Sequence, residues 1–405
     1  MMSPKDLIQA FNERYLNKID IGYRLPPQIK LEEFWSELFA LRRQQSVKLP
    51  LKDQRNHKFW YFVNNLLQKN LHEIDSYGRD TLYSLVKADI ESELIKESLI
   101  EEAFYSSVIE GAFSTLKRAR ELAENKISPK DKSEQMILNN FYAMRFILEN
   151  KDQPFSHGLI LELHKIVAHQ TLPNDEYAGK YRDDMVYITD GQGRTVYTPP
   201  KADAALVLLD ALIDWINAEN NDKFIHPIIK AAVLHFYFVY VHPFFDGNGR
   251  TARALFYFYS IKNDYAFFKY FSIASIINAK RGEYYKSIKN VEEYGSDLTY
   301  FLLYMTDSIF AAIAEIKTKI SEHYRKDYIL SKIKETAINL NLRQEKFLRK
   351  FLVWKDKTIT ISKYLDIFGV VYQTGRADLL DLSAKGILVK QKKGRNFVFV
   401  LNAEF

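Results

Sequence analysis

Apolar residues recur along most of this chain at the spacing of amphipathic helices. In the stretches 94–103 and 206–216 they return at intervals of about three to five positions, and charged residues occupy the positions between. The stretch 228–241 is apolar almost throughout, which predicts a helix buried on all sides. No repeat of fixed period accompanies the pattern, so the chain is predicted to be mainly α and not a solenoid.

Two parts of the chain before residue 200 depart from this pattern. Leu25-Pro-Pro27 and Leu49-Pro50 interrupt an N-terminal region that is otherwise predicted to be helical. Residues 185–188 and 195–198 are β-prone and flank a turn that contains Gly191 and Gly193. These two runs predict a small β-hairpin, exposed as a flap between helices.

The last part of the chain has a different order of elements. After a long helix predicted over 298–324, residues 347–401 run as helix, strand, helix, turn at Gly369, helix and two strands. This order resembles a winged helix-turn-helix with residues 392–395 at the wing tip. Residues 376–396 include six basic and two acidic side chains. Such an excess favours contacts with phosphates, although basic hairpin tips are also ordinary solvated turns and winged helices also serve as packing modules.

Composition narrows the choice of chemistry. The 405 residues include only 15 Gly and 11 Pro, well below the usual shares of about 7% and 5%, which supports long helices. Cysteine is absent, which excludes disulfide frameworks, thiol nucleophiles and thiolate zinc sites. The formal net charge of +6 is too dilute to make nucleic acid the default partner. With no apolar run of about 18 residues and no secretory pattern at the N-terminus, we predict a cytoplasmic protein without a membrane contact.

One polar segment stands out, because it lies between two apolar helices. Residues 242–253 read HPFFDGNGRTAR. Pro243 ends the preceding helix at His242, and glycines at 247 and 249 permit a tight turn and a close backbone approach to a ligand. The amides of Gly247, Asn248 and Gly249 are therefore expected to converge on an anion at the N-terminus of the next helix.

The charged residues of the segment favour a polyphosphate ligand. Arg250 and Arg253 lie three positions apart at a helix N-terminus, where cations are disfavoured unless an anion is bound. Asp246 offers a hard oxygen ligand suited to Mg²⁺ together with substrate phosphates. His242, with an ordinary pKa near 6.5, is the candidate general base. Taken singly, a His-Pro pair is an ordinary helix end and Gly-Asn-Gly an ordinary turn, and no P-loop ending is present.

The whole segment resembles the signature of the Fic family, HxFx(D/E)GNGRxxR, at every defined position. The predicted hairpin, the preceding Gly179-Lys-Tyr-Arg182 and the pair Tyr284-Tyr285 also fit a Fic domain. The resemblance implies a Fic-type helical bundle with a small β-hairpin flap, accompanied here by an N-terminal helical region and a C-terminal winged helix. The predicted domains are residues 1–127 with an inhibitory helix, 128–325 as the Fic catalytic domain, and 326–405.

The resemblance also implies an activity and a role for each motif residue. Fic proteins mostly transfer AMP from ATP to a hydroxyl side chain of a target protein, here a Ser, Thr or Tyr that could belong to the protein itself. By resemblance, His242 deprotonates that hydroxyl, Asp246 holds Mg²⁺, and Arg253 contacts the γ-phosphate. The other phosphates would be bound by Gly247, Asn248, Gly249 and Arg250. Gly247 is included because its amide is one of those expected to converge on an anion.

A second motif lies upstream, at Ser106-Ser-Val-Ile-Glu110-Gly111. Gly111 is a plausible helix C-terminal residue, and Ser106 and Glu110 share a face on which the hydroxyl could orient the carboxylate. By itself this pattern is typical of a solvated helix end. It also resembles the (S/T)xxxE(G/N) inhibitory motif of Fic proteins, which implies that Glu110 pairs with Arg253, prevents productive placement of ATP and keeps the enzyme largely off.

Several alternatives stay open at this level. A second hypothesis is a DNA-binding regulator whose winged helix is primary and whose Fic-like loop senses nucleotide. Donors other than ATP are compatible with a loop that reads phosphates. Tyr284 and Tyr285 are candidates for adenosine contact, with a role in the helix core as the alternative. A homodimer and the removal of AMP from a modified target are further hypotheses.

Overall fold

The computed structural model describes residues 4–189, 191–218, 224–335, 338–352, 354, 357–393 and 396–402. The chain divides into two compact units, Met1–Ala314 and Glu315–Phe405. Asp190 of the predicted flap turn, and Gly394 and Arg395 of the predicted wing tip, lie outside the described residues.

Helices dominate the first unit, which confirms the mainly α prediction. Its helices up to residue 168 are α1 (Pro4–Glu13), α2 (Lys18–Gly22), α3 (Leu31–Gln44), α4 (Asn65–Ile74), α5 (Tyr83–Leu85), α6 (Ala88–Ile109), α7 (Leu116–Ala123), α8 (Lys132–Glu149) and α9 (His157–Ala168). They are followed by α10 (Ala202–Asn217), α11 (Pro227–Val241), α12 (Asn248–Lys262), α13 (Ile273–Ala279), α14 (Arg281–Glu293) and α15 (Thr299–Glu335), which begins in this unit and continues past its boundary at residue 314. A π-helix (Asp75–Leu82) and two 3₁₀ turns (Asp175–Tyr177 and Ala266–Tyr270) complete the helical elements of this unit.

The N-terminal region also contains a β-hairpin that the sequence analysis did not predict. Strands β1 (Val47–Lys52) and β2 (Lys58–Tyr61) pair in antiparallel fashion, so Pro50 lies inside a strand and does not separate two helices. Leu49 and Leu51 are buried and alternate with exposed neighbours, which is the period of a strand with one covered face. The hairpin is tied to the segment before α15, since the Leu298 amide donates to the Trp60 carbonyl at 2.8 Å.

The predicted flap hairpin is present but shorter than expected. Strands β3 (Ile188–Thr189) and β4 (Thr195–Tyr197) pair in antiparallel fashion, Ile188 opposite Tyr197. The Tyr197 hydroxyl donates to the Tyr240 carbonyl at 2.7 Å, and the Gln54 side-chain amide donates to the Thr198 carbonyl at 3.0 Å. The base of the flap is therefore held by both α11 and the N-terminal hairpin turn.

The core of the first unit lies around α11 and α12. Every residue of α11 from 228 to 241 except Val239 is buried, and residues 250–261 of α12 are buried without interruption. Such helices are set by the apolar runs that the sequence shows on both sides of the polar segment. Residues 242–247 are thus a short loop between two buried core helices.

The second unit has the helix and strand order predicted for residues 347–401. After α15 it comprises α16 (Leu342–Phe351), β5 (Thr358–Ile359), α17 (Ile361–Phe368), α18 (Tyr372–Ala384), β6 (Leu388–Lys393) and β7 (Asn396–Leu401), with an antiparallel sheet in the order β5-β7-β6. Asp378 on α18 accepts hydrogen bonds from Asn341 (2.8 Å), Arg343 (2.9 Å) and Tyr364 (3.0 Å), which ties the three helices together.

One helix in the described part of the chain, Thr299–Ile333, is long and apolar enough to cross a membrane by length and composition. In its most apolar window, 72% of the residues are buried inside the protein. Core helices of globular proteins meet the same criterion, so this helix alone is weak support for a membrane span.

Candidate active site

The polar loop takes its shape from the ends of α11 and α12. His242 caps α11 in the left-handed conformation, with φ +53°, and Gly247 precedes α12 with φ +82°. A left-handed conformation costs a non-glycine residue roughly 1–2 kcal/mol. The loop therefore holds its histidine in a strained backbone, which persists only because neighbouring groups fix it.

Two side chains brace the loop from inside. The Asn248 amide accepts from the Phe244 N–H at 2.9 Å and donates to the Phe244 carbonyl at 2.8 Å. Phe244 is fully buried and stacks on the His164 ring at a centroid distance of 3.5 Å. The Asn248 side chain is thus used within the loop, so only its backbone amide remains for the phosphate role predicted from the resemblance.

His164 joins the loop to the segment before the flap. Its Nδ1 accepts from the Gly179 N–H at 3.0 Å, so the proton is on Nε2, which donates to the Asp246 carbonyl at 3.0 Å. Burial lowers the pKa of His164 to about 4, and the ring is therefore neutral at physiological pH. The sequence alone predicts no role for His164 in the site, because nothing in its pattern relates residue 164 to residue 246.

The backbone amides at the start of α12 are the candidate anion site, with one change from the prediction. The first-turn amides of a helix have no partner inside the helix, and here these are the amides of Asn248, Gly249 and Arg250. The Gly247 amide is already used, because it donates to the Asp246 carboxylate at 2.6 Å. The predicted cradle is therefore shifted by one residue toward α12.

Arg250 is buried beside this site. Its Nη1 donates to the Val167 carbonyl at 2.9 Å, and its Nη2 lies 3.7 Å from the Asp246 carboxylate. Within the described part of the chain, Nε and Nη2 of Arg250 have no hydrogen-bond partner. Buried donors normally have partners, so these two nitrogens are available to an anion or a water at the loop.

Arg253 joins α12 to α6. Its Nε donates to the Ser106 hydroxyl at 2.8 Å, and its Nη2 donates to the Ser106 carbonyl at 2.9 Å and to the Glu110 carboxylate at 2.8 Å. The Ser106 hydroxyl thus contacts the arginine. This differs from the prediction, in which Ser106 and Glu110 share a helix face and the hydroxyl orients the Glu110 carboxylate. The reason is that Glu110 lies past the last turn of α6, as its C-cap, followed by Gly111 with φ +91°.

Glu110 also covers the start of α12. A Cβ atom added to Gly249 would lie 2.1 Å from the Glu110 Oε1 atom. The carboxylate therefore sits directly against the first turn of α12, where a helix stabilises negative charge. Both the backbone of Gly249 and the side chain of Arg253 face the same carboxylate.

Helix α6 is fixed against the core by a second carboxylate. Glu102 is buried and accepts from the Tyr257 hydroxyl (2.8 Å), the Ser272 hydroxyl (2.7 Å) and the Ala274 N–H (2.9 Å). Burial raises the pKa of Glu102. Glu102 lies within α6 and Glu110 is the C-cap of the same helix, so the Glu102 contacts fix the helix that carries Glu110 at its end.

His242 is neutral, with one ring nitrogen committed. Its Nδ1 lies 3.1 Å from the Val239 carbonyl, an acceptor, so Nδ1 carries the proton and Nε2 bears a lone pair. Burial lowers the pKa of His242 to about 4. The imidazole is therefore in the form that accepts a proton throughout the physiological range.

Asp246 fits a divalent cation. Its side chain is 47% exposed, and its Oδ2 atom lies 3.7 Å from the Lys132 ammonium. No cluster of three or more metal-ligating side chains occurs in the residues that the structure describes. This suits Mg²⁺ bound through one carboxylate and substrate phosphates, and does not suit a metal held by protein ligands alone.

Arg182 connects the flap to the loop. Its Nε donates to the His242 carbonyl at 2.7 Å, Nη1 donates to the Asp184 carbonyl at 2.8 Å, and Nη2 donates to the Pro200 carbonyl. Its backbone N–H donates to the Pro243 carbonyl at 2.9 Å. In the sequence, this residue stands out only as part of Gly179-Lys-Tyr-Arg182, and no function is predicted for it.

The two tyrosines of α14 have different surroundings. Tyr284 is buried, its hydroxyl lies 3.1 Å from the His235 Nε2 atom, and burial raises its pKa. Tyr285 is 49% exposed, with the Arg281 guanidinium 5.8 Å from its ring centroid. Tyr284 is placed in the core, whereas Tyr285 has a face open to a ligand.

A cavity of about 530 Å³ lies beside the flap. It is lined by several elements, including Asp53, Gln54, His57, Tyr197, Tyr240 and Glu292. Burial raises the pKa of Glu292 to about 7. No sequence motif marks this cavity, since its walls come from elements far apart in the chain, among them α3, the N-terminal hairpin, the flap, α11 and α14.

Comparisons with known proteins agree with this geometry. The model of the Fic/DOC family matches residues 154–260. Proteins named protein adenylyltransferase Fic from Nematostella vectensis and Culex quinquefasciatus are each 32% identical over 200 residues, which is 48% of this chain and 44% and 38% of theirs. This chain thus spans less than half the length of these relatives.

Solved structures show the same fold. A Fic family protein from Desulfovibrio desulfuricans has a TM-score of 0.54 at 18% identity, covering 85% of this chain and 98% of that one. A Fic-1 fragment from C. elegans has a TM-score of 0.54 at 21% identity, covering 79% and 89%. Residues 154–260 of this chain thus match the Fic/DOC family, and the solved structures share its fold.

Proposed function

We propose that this chain is a protein adenylyltransferase, which transfers AMP from ATP to a hydroxyl side chain of a protein and is held inactive by Glu110. The observation that supports it most directly is the convergence of a neutral His242, the free amides of α12 and the Arg253 guanidinium on one loop. The relatives named protein adenylyltransferase Fic support the same chemistry.

The histidine supplies the base. The target hydroxyl oxygen attacks the α-phosphorus of ATP, and the bond from that phosphorus to the bridging oxygen of the β-phosphate breaks. The hydroxyl proton passes to Nε2 of His242, whose other nitrogen is fixed by the Val239 carbonyl. Pyrophosphate leaves with the bonding electron pair, and the product is an AMP ester of the target side chain.

The start of α12 supplies the groups that would offset the negative charge of the phosphates. Its first-turn amides would receive phosphate oxygens, and Arg250 would use its unpaired Nε and Nη2 donors near the same anion. Arg253 would contact the γ-phosphate once Glu110 has left it. When bound to Asp246 and the phosphates, Mg²⁺ would offset their negative charge.

Inhibition follows from competition for one guanidinium. Glu110 occupies the Arg253 Nη2 atom at 2.8 Å and covers the backbone of Gly249. A triphosphate bound in the productive position would need both groups. The carboxylate thus excludes the γ-phosphate by charge and by volume.

The flap is the proposed docking edge for the target. Strand β4 has exposed residues, among them Val196, and an added strand would bind through main-chain hydrogen bonds with little demand on sequence. The target carries a Ser, Thr or Tyr hydroxyl and can be a segment of the protein itself.

Labelled ATP tests the proposal directly. The Glu110→Gly variant is incubated with Mg²⁺ and ATP labelled on the α- or the γ-phosphate, and the protein is analysed by mass spectrometry and autoradiography. We expect a mass gain of one AMP and label from the α position only, absent in the His242→Ala variant. Label from the γ position, or none from either, would contradict the proposal.

DNA binding by the second unit and formation of a homodimer stay predictions. The exposed side chains of Lys390, Lys392 and Lys393 on β6 support the DNA alternative, because clustered cations bind phosphates. Retention on DNA that weakens with salt and is lost in a Lys392→Glu, Lys393→Glu variant would favour this function. Retention that is absent at low salt would reject it.

A further inference from the structure

Arg182 lies where three separate pieces of backbone meet. It is 3% exposed, and its guanidinium donates to the carbonyls of His242, Asp184 and Pro200. Asp184 precedes the first strand of the flap hairpin, and Pro200 follows its second strand. His242 is the residue that the proposed chemistry uses as base. A single planar cation with fixed donor directions thus contacts all three.

The contact with His242 matters because of its backbone conformation. With φ +53°, the His242 carbonyl does not continue the hydrogen-bonding of α11, and the Arg182 Nε atom donates to it at 2.7 Å. The next carbonyl, of Pro243, accepts the Arg182 main-chain N–H at 2.9 Å. Two consecutive carbonyls of the loop are therefore held by one residue, and a charged donor makes the shorter bond.

We propose that Arg182 is a positioning residue that holds the flap and the His242 backbone in one arrangement, so that a segment docked on the flap presents its hydroxyl to the His242 imidazole. The expected effect of Arg182 on the transfer rate rests on the proposed function. Its expected effect on the flap and on the His242 backbone does not. The Arg182 guanidinium donates to three backbone carbonyls, so we expect its loss to leave ATP affinity nearly unchanged while the transfer rate falls.

The test compares Arg182→Lys with a matched control in the Glu110→Gly background. Lysine keeps the charge but is a point donor that cannot span three carbonyls with fixed geometry. The control is Arg145→Lys, an exposed arginine of α8 that pairs with Glu149 at 3.1 Å. Measured quantities are amide exchange in β3 and β4, equilibrium affinity for ATP, and the initial rate of self-modification.

We expect Arg182→Lys to raise exchange in β3 and β4 at least tenfold, to lower the transfer rate at least tenfold and to change ATP affinity less than threefold. Unchanged flap exchange, or a rate loss matched by an equal loss of ATP affinity, would overturn the proposal. If Glu110→Gly itself transfers no AMP, the proposed function fails, whereas the exchange measurement still decides the role of Arg182.

A second measurement needs no variant. In the unaltered chain, amide exchange is followed in low concentrations of denaturant for Arg182, Phe244 and the strands of the flap. If Arg182 joins the flap to the loop, these amides open together as one unit. Earlier opening of the flap, with the Arg182 and Phe244 amides still protected, would overturn the proposal.

Discussion

The ion pair between Glu110 and Arg253 leads to a quantitative prediction about activity. The two side chains are 2.8 Å apart, with Arg253 4% exposed and Glu110 32% exposed. A hydrogen bond between charged groups contributes about 1.5–3 kcal/mol. ATP must replace this bond to use Arg253, so its removal should raise the transfer rate about 10- to 150-fold, at about 1.4 kcal/mol per factor of ten.

Two substitutions separate charge from volume. Glu110→Gln keeps the size of the side chain and removes its charge, while Glu110→Gly also uncovers Gly249. We expect an increase in the order wild type, Gln, Gly, measured as the initial rate of AMP incorporation from α-labelled ATP. The matched control is Glu149→Gln, which breaks an exposed pair with Arg145 and should leave the rate within about twofold.

The outcome that refutes this account is specific. If Glu110→Gly binds ATP, unfolds at a temperature close to that of wild type and still transfers AMP at the wild-type rate, the Glu110 carboxylate does not control the site. A Glu110→Gly variant that stays active after His242→Ala would refute the assignment of the base.

Three further predictions concern the loop itself. Gly249→Ala should lower the melting temperature of wild type, because the new Cβ would meet the Glu110 carboxylate at 2.1 Å. The same substitution should lower the melting temperature less in the Glu110→Gly background. Additive effects of the two substitutions in thermal unfolding would contradict this contact. Burial lowers the pKa of His242 to about 4, so the base form persists as pH falls. Transfer by Glu110→Gly should therefore show no loss from His242 protonation until about pH 4. A break near pH 6.5 in the profile of rate against pH would contradict a buried imidazole. Asp246→Asn should abolish the stimulation of transfer by Mg²⁺, while unchanged Mg²⁺ dependence would exclude this carboxylate as its ligand.

Much of the local structure is determined by the sequence alone. The apolar runs on either side of residues 242–253 specify two buried helices, since such stretches have no polar face to turn toward water. Pro243 and Gly247 then specify where one helix ends and the next begins. The Fic-like signature places the candidate base, metal ligand and arginines within twelve consecutive residues, so they needed no tertiary information to be found.

Other local predictions were wrong or incomplete for reasons of context. The N-terminal hairpin was missed because Leu49-Pro50 is read as a break, although Pro is tolerated at a sheet edge. The Ser106 hydroxyl was expected to orient Glu110, yet it accepts from the Arg253 Nε atom. Helical spacing identifies which residues share a face, but it does not identify the group packed against that face.

Only the tertiary structure decides which distant residues complete the site. Arg182, His164 and Glu102 are ordinary polar residues in the sequence, and each becomes significant because folding buries it beside a loop or helix far away in the chain. Burial removes these groups from water, so each must find its partners within the protein. Sequence spacing therefore determined the candidate catalytic loop, and long-range packing determined which groups hold it, cover it and connect it to the flap.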